Sequence, residues 1–207
     1  MANNELPAGQ VDDWAVLFSG YVPRSFPSPE GTTATVGSTV GFMRSGDKTI
    51  VIDPGLVPSR SVILDPLKER GVSPEDVTDV IFSHHHPDHT LNAALFGNAR
   101  THDVWGIYKD DKWHVRWAEG FEVAPGVRLI QTPGHTQSDI TVLAATKDGL
   151  VAFTHLWWRA DAPSGDDPVA LSNEDFHAGR ERVIALNPTL IVPGHGPAFE
   201  LTSETPR

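Results

Sequence analysis

The 207-residue chain contains no cysteine, and its 16 lysines and arginines are outnumbered by 27 aspartates and glutamates. Without cysteine, neither a disulfide bond nor a thiolate metal ligand can form. The net charge of −11 repels phosphate backbones and anionic membrane surfaces, so no nucleic acid partner is expected. No apolar run approaches the roughly 18 residues that a membrane-spanning helix needs, and no membrane association is expected either.

The N-terminal sequence MANNELPAGQVDDW also lacks the basic and apolar regions of a signal peptide, which predicts a cytoplasmic protein. Hydrophobic residues make up 39% of the chain and charged residues 21%, which is ordinary for a folded domain. The length predicts one domain. We expect a flexible N-terminus at residues 1–12 and a single domain at residues 13–207.

Apolar patterns along the chain predict alternating strands and helices. Predicted strands cover residues 14–20, 36–43, 48–53, 77–83, 127–132, 139–145, 150–156 and 189–194. Predicted helices cover residues 59–70, 91–96 and 173–186. The Pro/Ser/Gly-rich segment 21–35 and the polar segment 159–170 are predicted loops that shape a pocket.

Residues 83–89 read SHHHPDH and directly follow a predicted strand, and they fit the pattern H-x-H-x-D-H. In an extended segment, residues i and i+2 point to the same side, so His84 and His86 can hold one ion. The chain then turns, which allows Asp88 and His89 to face a second ion. Imidazole and carboxylate groups suit zinc, iron and similar metals, so this turn predicts a metal centre.

Two further histidines lie in Gly/Pro turns that follow predicted strands. His135 stands in the sequence TPGHT, and His195 stands in VPGHG. Such turns can bring the backbone close to an ion, and strand ends commonly support functional loops. Both histidines are therefore candidate ligands.

Together these motifs resemble the metallo-β-lactamase superfamily, over residues 14–198 and in the expected order. The resemblance implies an α/β (α+β) fold, a four-layer αββα sandwich with metals at one edge of the two sheets. It implies one or two zinc ions, with iron or manganese as alternatives. It assigns His84, His86 and His135 to the first metal and Asp88, His89 and His195 to the second. Asp53, in the sequence IDPG, matches the family's strand-end aspartate, which orients metal ligands from behind.

One position departs from this family. Many members carry an aspartate that bridges the two metals at the end of the strand after the third histidine, and its counterpart here is His155. Three alternatives are open: the metals share only a hydroxide, His155 is an additional ligand of the second metal, or the second metal is weak or absent. Because a bridging anion is missing, Coulomb repulsion predicts that one metal is held more firmly.

The predicted activity is hydrolysis of a small molecule with an ester, thioester or lactone-like bond. A metal-bound hydroxide would attack the carbonyl, and Asp88, the predicted catalytic residue, would orient the hydroxide and transfer its proton. Two other functions stay open: a mononuclear iron oxidoreductase that acts on a sulfur substrate, and a non-catalytic metal-binding protein. The fold alone does not choose among them.

Overall fold

The computed structural model describes residues 5–207, so residues 1–4 of the predicted flexible N-terminus lie outside the described residues. Within the described part, the chain forms strands and three α-helices that alternate along the sequence. The strands are β1 (Asp13–Phe18), β2 (Val40–Ser45), β3 (Lys48–Ile52), β4 (Asp79–Ile81), β5 (Arg100–His102), β6 (Gly106–Lys109), β7 (Lys112–Val115), β8 (Glu122–Ala124), β9 (Val127–Gln131), β10 (Ile140–Thr146), β11 (Gly149–Thr154) and β12 (Leu190–Pro193). The helices are α1 (Ser61–Glu69), α2 (Pro87–Thr90) and α3 (Asn173–Ala185).

The strands form two sheets. The first has seven strands in the order β1-β2-β3-β4-β5-β6-β7, and the second has five in the order β12-β11-β10-β9-β8. Strand β4 pairs in parallel with β3 and β5, and β11 pairs in parallel with β12. Parallel neighbours end at the same edge of a sheet. The loops that follow β3 and β4 therefore lie side by side, as do those that follow β11 and β12.

Alternation along β3 divides its side chains between two cores. Ile50 and Ile52 point into the core between the two sheets, whereas Val51 points to the opposite face. There Val51 shares a second core with Ile63 and Leu67 of α1. The first sheet is thus covered by the second sheet on one face and by α1 on the other.

The second sheet repeats this arrangement. Val142 of β10 joins the core between the sheets, and its neighbour Leu143 faces outward. Leu143 shares a third core with Phe176 and Val183 of α3. The layers are therefore α1, first sheet, second sheet and α3, which confirms the predicted αββα sandwich.

Several predicted boundaries differ from the structure. The strand expected at 36–43 is β2, Val40–Ser45. In place of the helix expected at 91–96 there is a single 3₁₀ turn, Ala93–Leu95, which follows the short helix α2 in the chain. The four strands β5 to β8 were not predicted, because runs of three or four residues are too short to show a periodic pattern. Among the described residues, no helix is long and apolar enough to cross a membrane.

Candidate metal centre

The first wall of the site is the turn that joins β4 to α2. His86 has an extended backbone (φ −64°, ψ 142°), and Pro87 occupies the first position of α2, where its missing N–H costs nothing. The chain therefore changes from extended to helical directly after His86. As a result, the rings of His86 and His89 both lie beside that of His84, with centroid distances of 4.7 Å and 4.3 Å.

The second sheet supplies the opposite wall. His135 follows β9 and His195 follows β12, and both are buried. Nε2 of His135 lies 3.0 Å from Nδ1 of His86. The ring centroid of His195 lies 5.1 Å from that of His89. Histidines that are 40 or more positions apart in the sequence thus meet at one edge of the sandwich.

Asp88 lies between two of these rings. Its Oδ2 is 3.6 Å from Nε2 of His89 and 3.6 Å from Nε2 of His195. These are the two histidines that the resemblance assigns, together with Asp88, to a second ion. The structure therefore brings together all six residues that the resemblance implies as ligands.

His155, which directly follows β11, is buried and lies beside four of the other histidines. Two groups of three buried histidines have ligand atoms within 4.8 Å of one another. We call His84, His135 and His155 the first triplet and His89, His155 and His195 the second triplet. His155 belongs to both, and its Nε2 lies 3.1 Å from Nε2 of His195. The residue that departs from the family pattern thus stands at the centre of the cluster.

Most rings of the two triplets are held from behind through Nδ1, as is usual for metal-binding histidines. The partners are Asp53 Oδ2 for His89 (2.9 Å), Asp167 Oδ2 for His135 (2.8 Å), the Gly37 carbonyl for His195 (3.0 Å) and Ser83 Oγ for His84 (3.1 Å). A carboxylate or carbonyl oxygen can only accept, so His89, His135 and His195 donate from Nδ1. In the neutral form that binds metal, each of these rings therefore carries its lone pair on Nε2.

Asp53, the aspartate of the sequence IDPG, lies behind His89 and accepts a hydrogen bond from its Nδ1 at 2.9 Å. In addition to His89, its Oδ1 accepts a hydrogen bond from the Ser83 backbone N–H at 2.7 Å. It thus connects the end of β3 to the turn after β4. Beside it, Gly55 makes a close backbone contact, because a Cβ at this position would lie 1.6 Å from the carbonyl oxygen of Asp88.

Burial and mutual repulsion keep several rings neutral. Burial, followed by the charges of neighbouring histidines, lowers the pKa of His84 and His155 well below the ordinary value. Burial and the nearby His89 lower the pKa of His195 to about 4. Burial would also lower the pKa of His89, but the charge of Asp53 and its hydrogen bond outweigh burial and raise it. Neutral imidazole is the form that binds metal ions.

The donor set fits a divalent metal ion. Buried polar atoms are normally hydrogen-bonded, yet in the described part of the chain Nε2 of His84, Nε2 of His89 and Nδ1 of His155 are buried without a partner. Three unpaired ring nitrogens in one buried cluster are costly unless a cation fills the space between them. The cluster therefore has the composition and the unpaired lone pairs of a metal centre.

A cavity of about 240 Å³ opens onto this cluster. Its polar wall consists of His86, Asp88, His135, His155 and His195, and its apolar wall consists of Val22, Phe26, Val36, Trp158 and Val169. The predicted loop 21–35 supplies part of the apolar wall, and the predicted loop 159–170 supplies Val169. Of the two adjacent tryptophans, Trp158 lines the cavity and Trp157 is buried in the core beneath α3.

The sequence did not single out Asp167, the buried residue behind His135. Its Oδ2 also accepts a hydrogen bond from Trp158 Nε1 at 3.2 Å, so one carboxylate supports both a candidate ligand and the cavity wall. Asp167 follows Asp166 in a polar loop, and no motif distinguishes the two. Conversely, His85 turns away from the cluster, and its Nε2 lies 3.1 Å from Oδ2 of Asp103.

Comparisons with known proteins agree with this architecture. The sequence profile of the metallo-beta-lactamase superfamily matches residues 34–195. "Metallo-beta-lactamase domain-containing protein 1" of Xenopus laevis is 32% identical over 205 residues, which cover 90% of this chain and 87% of that protein. An N-acyl homoserine lactonase of Bacillus cereus is 34% identical over 107 residues, 44% of this chain and 43% of the lactonase.

The crystal structure of a putative metallo-beta-lactamase from Thermotoga maritima matches with a TM-score of 0.69 at 22% identity, covering 91% of this chain and 99% of that one. The chain belongs to the metallo-β-lactamase superfamily.

Proposed function

We propose that this protein is a metal-dependent hydrolase that cleaves the ester, thioester or lactone bond of a small, uncharged, partly apolar substrate. The observation that carries the proposal is the cavity, in which a wall of histidines and Asp88 faces a wall of apolar side chains. The partial match to a lactonase supports hydrolysis of a cyclic ester. Zinc is the proposed metal, and the cytoplasm is the proposed location.

Each part of the cavity has a role in this proposal. His84, His86 and His135 would hold one ion, and Asp88, His89 and His195 would contribute to a second. A bound divalent ion supplies Lewis acidity and lowers the pKa of a coordinated water towards neutrality. Asp88 would accept a proton from the attacking water and pass it to the leaving oxygen or sulfur.

The apolar wall defines the substrate class. Phe26, Trp158 and Val169 can contact an acyl chain and exclude bulk water from the reacting carbonyl. Among the described residues that line the cavity there is no lysine or arginine. Arg24 and Arg159 border a neighbouring cleft, where both pair with Asp161. Away from the proposed metal ions, an anionic substrate group would therefore find no cationic side chain, which favours uncharged esters and lactones.

A substrate panel measured together with metal content tests this proposal. We expect zinc in protein purified without added metal, and faster hydrolysis of acyl-bearing lactones, aryl esters and thioesters than of their carboxylate-bearing analogues. Iron in the purified protein, with oxygen consumption on sulfur substrates and no hydrolysis, would overturn the proposal in favour of an oxidoreductase. Protein that binds no metal and hydrolyses nothing would overturn it in favour of a non-catalytic protein.

The role of Asp88 has its own test. Replacing Asp88 by alanine should lower turnover at least about 10²-fold, which is an ordinary contribution of general acid–base catalysis. Metal content must be measured on the same sample, because Asp88 is also a candidate ligand. Asp65→Ala, on the exposed face of α1, is the matched control and should retain full activity. Near-normal turnover in folded, metal-loaded Asp88→Ala protein would contradict the assignment.

A further inference from the structure

His155 differs from the surrounding histidines in the hydrogen bonding of its Nδ1 atom. The rings of His84, His89, His135 and His195 each have a hydrogen-bonding partner on Nδ1. Nδ1 of His155 is buried and, within the described residues, has no such partner. A ring that binds metal through one nitrogen normally donates the other N–H to an oxygen. His155 lacks that oxygen, so no protein group occupies its Nδ1.

The proton on His155 can be located from its neighbour. His195 donates from Nδ1 to the Gly37 carbonyl, so its Nε2 carries a lone pair. That lone pair lies 3.1 Å from Nε2 of His155, which therefore carries the proton of the neutral ring. It follows that Nδ1 of His155 has an unshared lone pair in the buried cluster.

Candidate metal ligands lie on two sides of the His155 ring. Its centroid lies 4.5 Å and 4.3 Å from those of His84 and His135 in the first triplet. It lies 4.9 Å and 5.1 Å from those of His89 and His195 in the second triplet. Two nitrogens that bind one tetrahedral zinc ion are separated by about 3.3 Å. The spacing between Nε2 of His155 and Nε2 of His195 is close to that value.

We propose that His155 bridges two divalent ions as an imidazolate, in the place where many relatives use a carboxylate. Nδ1 would bind the ion of the first triplet with its existing lone pair. For the second triplet, the Nε2–H bond of His155 breaks, the proton leaves to solvent, and the freed electron pair binds the second ion. The resulting anion offsets the repulsion between the two cations, which neutral imidazole cannot do. The inference depends on metal binding by the cluster and not on the hydrolytic reaction.

The separation of the ions distinguishes this bridge from the alternatives. A pair bridged by single oxygens lies about 3.5–4 Å apart, whereas an imidazolate separates its ions by the width of a five-membered ring. The full chain should be freed of metal and loaded with two equivalents of zinc for X-ray absorption spectroscopy. A parallel sample should receive two equivalents of cupric ion for electron paramagnetic resonance.

We expect the unmodified protein to show two bound ions, histidine-dominated coordination, no metal–metal distance at 3.5–4 Å, and an exchange-coupled copper pair. In His155→Asp, the short metal–metal distance should appear. In His155→Ala, the exchange coupling should be lost and the second equivalent should bind at least tenfold more weakly. His85→Gln, in the turn after β4 but directed away from the cluster to Asp103, is the matched control and should behave like the unmodified protein.

Three results would overturn the bridge: a short metal–metal distance in the unmodified protein, two ions without exchange coupling, or a single ion whose affinity is unchanged in His155→Ala. Absence of any metal binding would overturn both this inference and the proposed hydrolase. A coupled pair in a protein that hydrolyses nothing would support the bridge and remove only the proposed reaction.

Discussion

At the scale of single residues, the centre depends on oxygens that hold the imidazole rings from behind. Asp53 and Asp167 each hold one ring, His89 of the second triplet and His135 of the first. Such outer carboxylates fix the tautomer, so that the lone pair of Nε2 faces the ion, and they increase the basicity of the ligand. Each triplet therefore has one buried carboxylate behind it. Removing that carboxylate should weaken metal binding at that triplet more than at the other.

Replacing either aspartate by asparagine should weaken metal binding about 10–100-fold while the protein remains folded. The amide can present either its oxygen or its NH₂ group to the ring, so the tautomer is no longer enforced. Competition with a chromogenic chelator measures the loss, and the exposed Asp65→Asn serves as the control. Unchanged affinity in Asp167→Asn would show that His135 does not need this carboxylate.

At the scale of elements, the site depends on a close contact between the loop after β3 and helix α2. The Leu56 N–H donates to the Asp88 carbonyl at 2.7 Å, and Gly55 lies against the same carbonyl. A side chain at Gly55 cannot fit without displacing the backbone that carries Asp88 and His89. The conformation of the His/Asp turn is therefore fixed by an element that lies more than 30 residues earlier in the chain.

The substitution Gly55→Ala should destabilise the protein by at least about 1–3 kcal/mol, because the added methyl group overpacks a rigid backbone contact. It should also lower metal affinity, since Asp88 and His89 move with α2. The control is Gly97→Ala, where a Cβ meets open space and a change within about 0.5 kcal/mol is expected. Urea denaturation and chelator competition measure both quantities, and equal stability of the two variants would contradict the contact.

At the scale of the whole molecule, the first sheet contains a buried histidine–aspartate pair away from the metal centre. Nε2 of His102 on β5 lies 2.7 Å from Oδ1 of the fully buried Asp79 on β4. Burial lowers the pKa of His102 below its ordinary value despite the carboxylate. Burial alone would raise the pKa of Asp79, but its hydrogen bonds to His102 and Thr78 outweigh burial and lower it.

The lowered pKa values of His102 and Asp79 predict that the protein loses stability in acid. Because the folded pKa of His102 is depressed, the unfolded chain binds more protons below about pH 6.5, and stability falls as the pH drops through that value. Asp79 contributes a further loss as the pH falls from the ordinary aspartate pKa of about 3.9 towards its own lowered pKa. His102→Gln keeps a donor for Asp79 without a titrating ring, so its stability should fall less steeply between pH 7 and pH 5. One group accounts for at most about 1.4 kcal/mol per pH unit in urea denaturation. Identical slopes for the two proteins would contradict the assignment.

The sequence alone determined the class of fold and most of the candidate site. The pattern H-x-H-x-D-H and the two PGH turns mark their residues locally, because ligand spacing within a turn and turns at strand ends are properties of short segments. The core strands β3, β9, β10 and β11 are apolar enough to be recognised in the same way. Asp53 was assigned through the resemblance, because the sequence IDPG matches the family's strand-end aspartate.

The tertiary structure decided which residues from distant parts of the chain come into contact, because short segments of sequence do not determine this. It placed Asp167 behind His135, although the residues between them show no motif, and it enclosed His155 among four other rings. It also assembled β5 to β8, whose pairing depends on neighbouring strands and not on their own sequence. Contacts of this kind join residues that are distant in the chain, and they exist only after the two sheets have packed together.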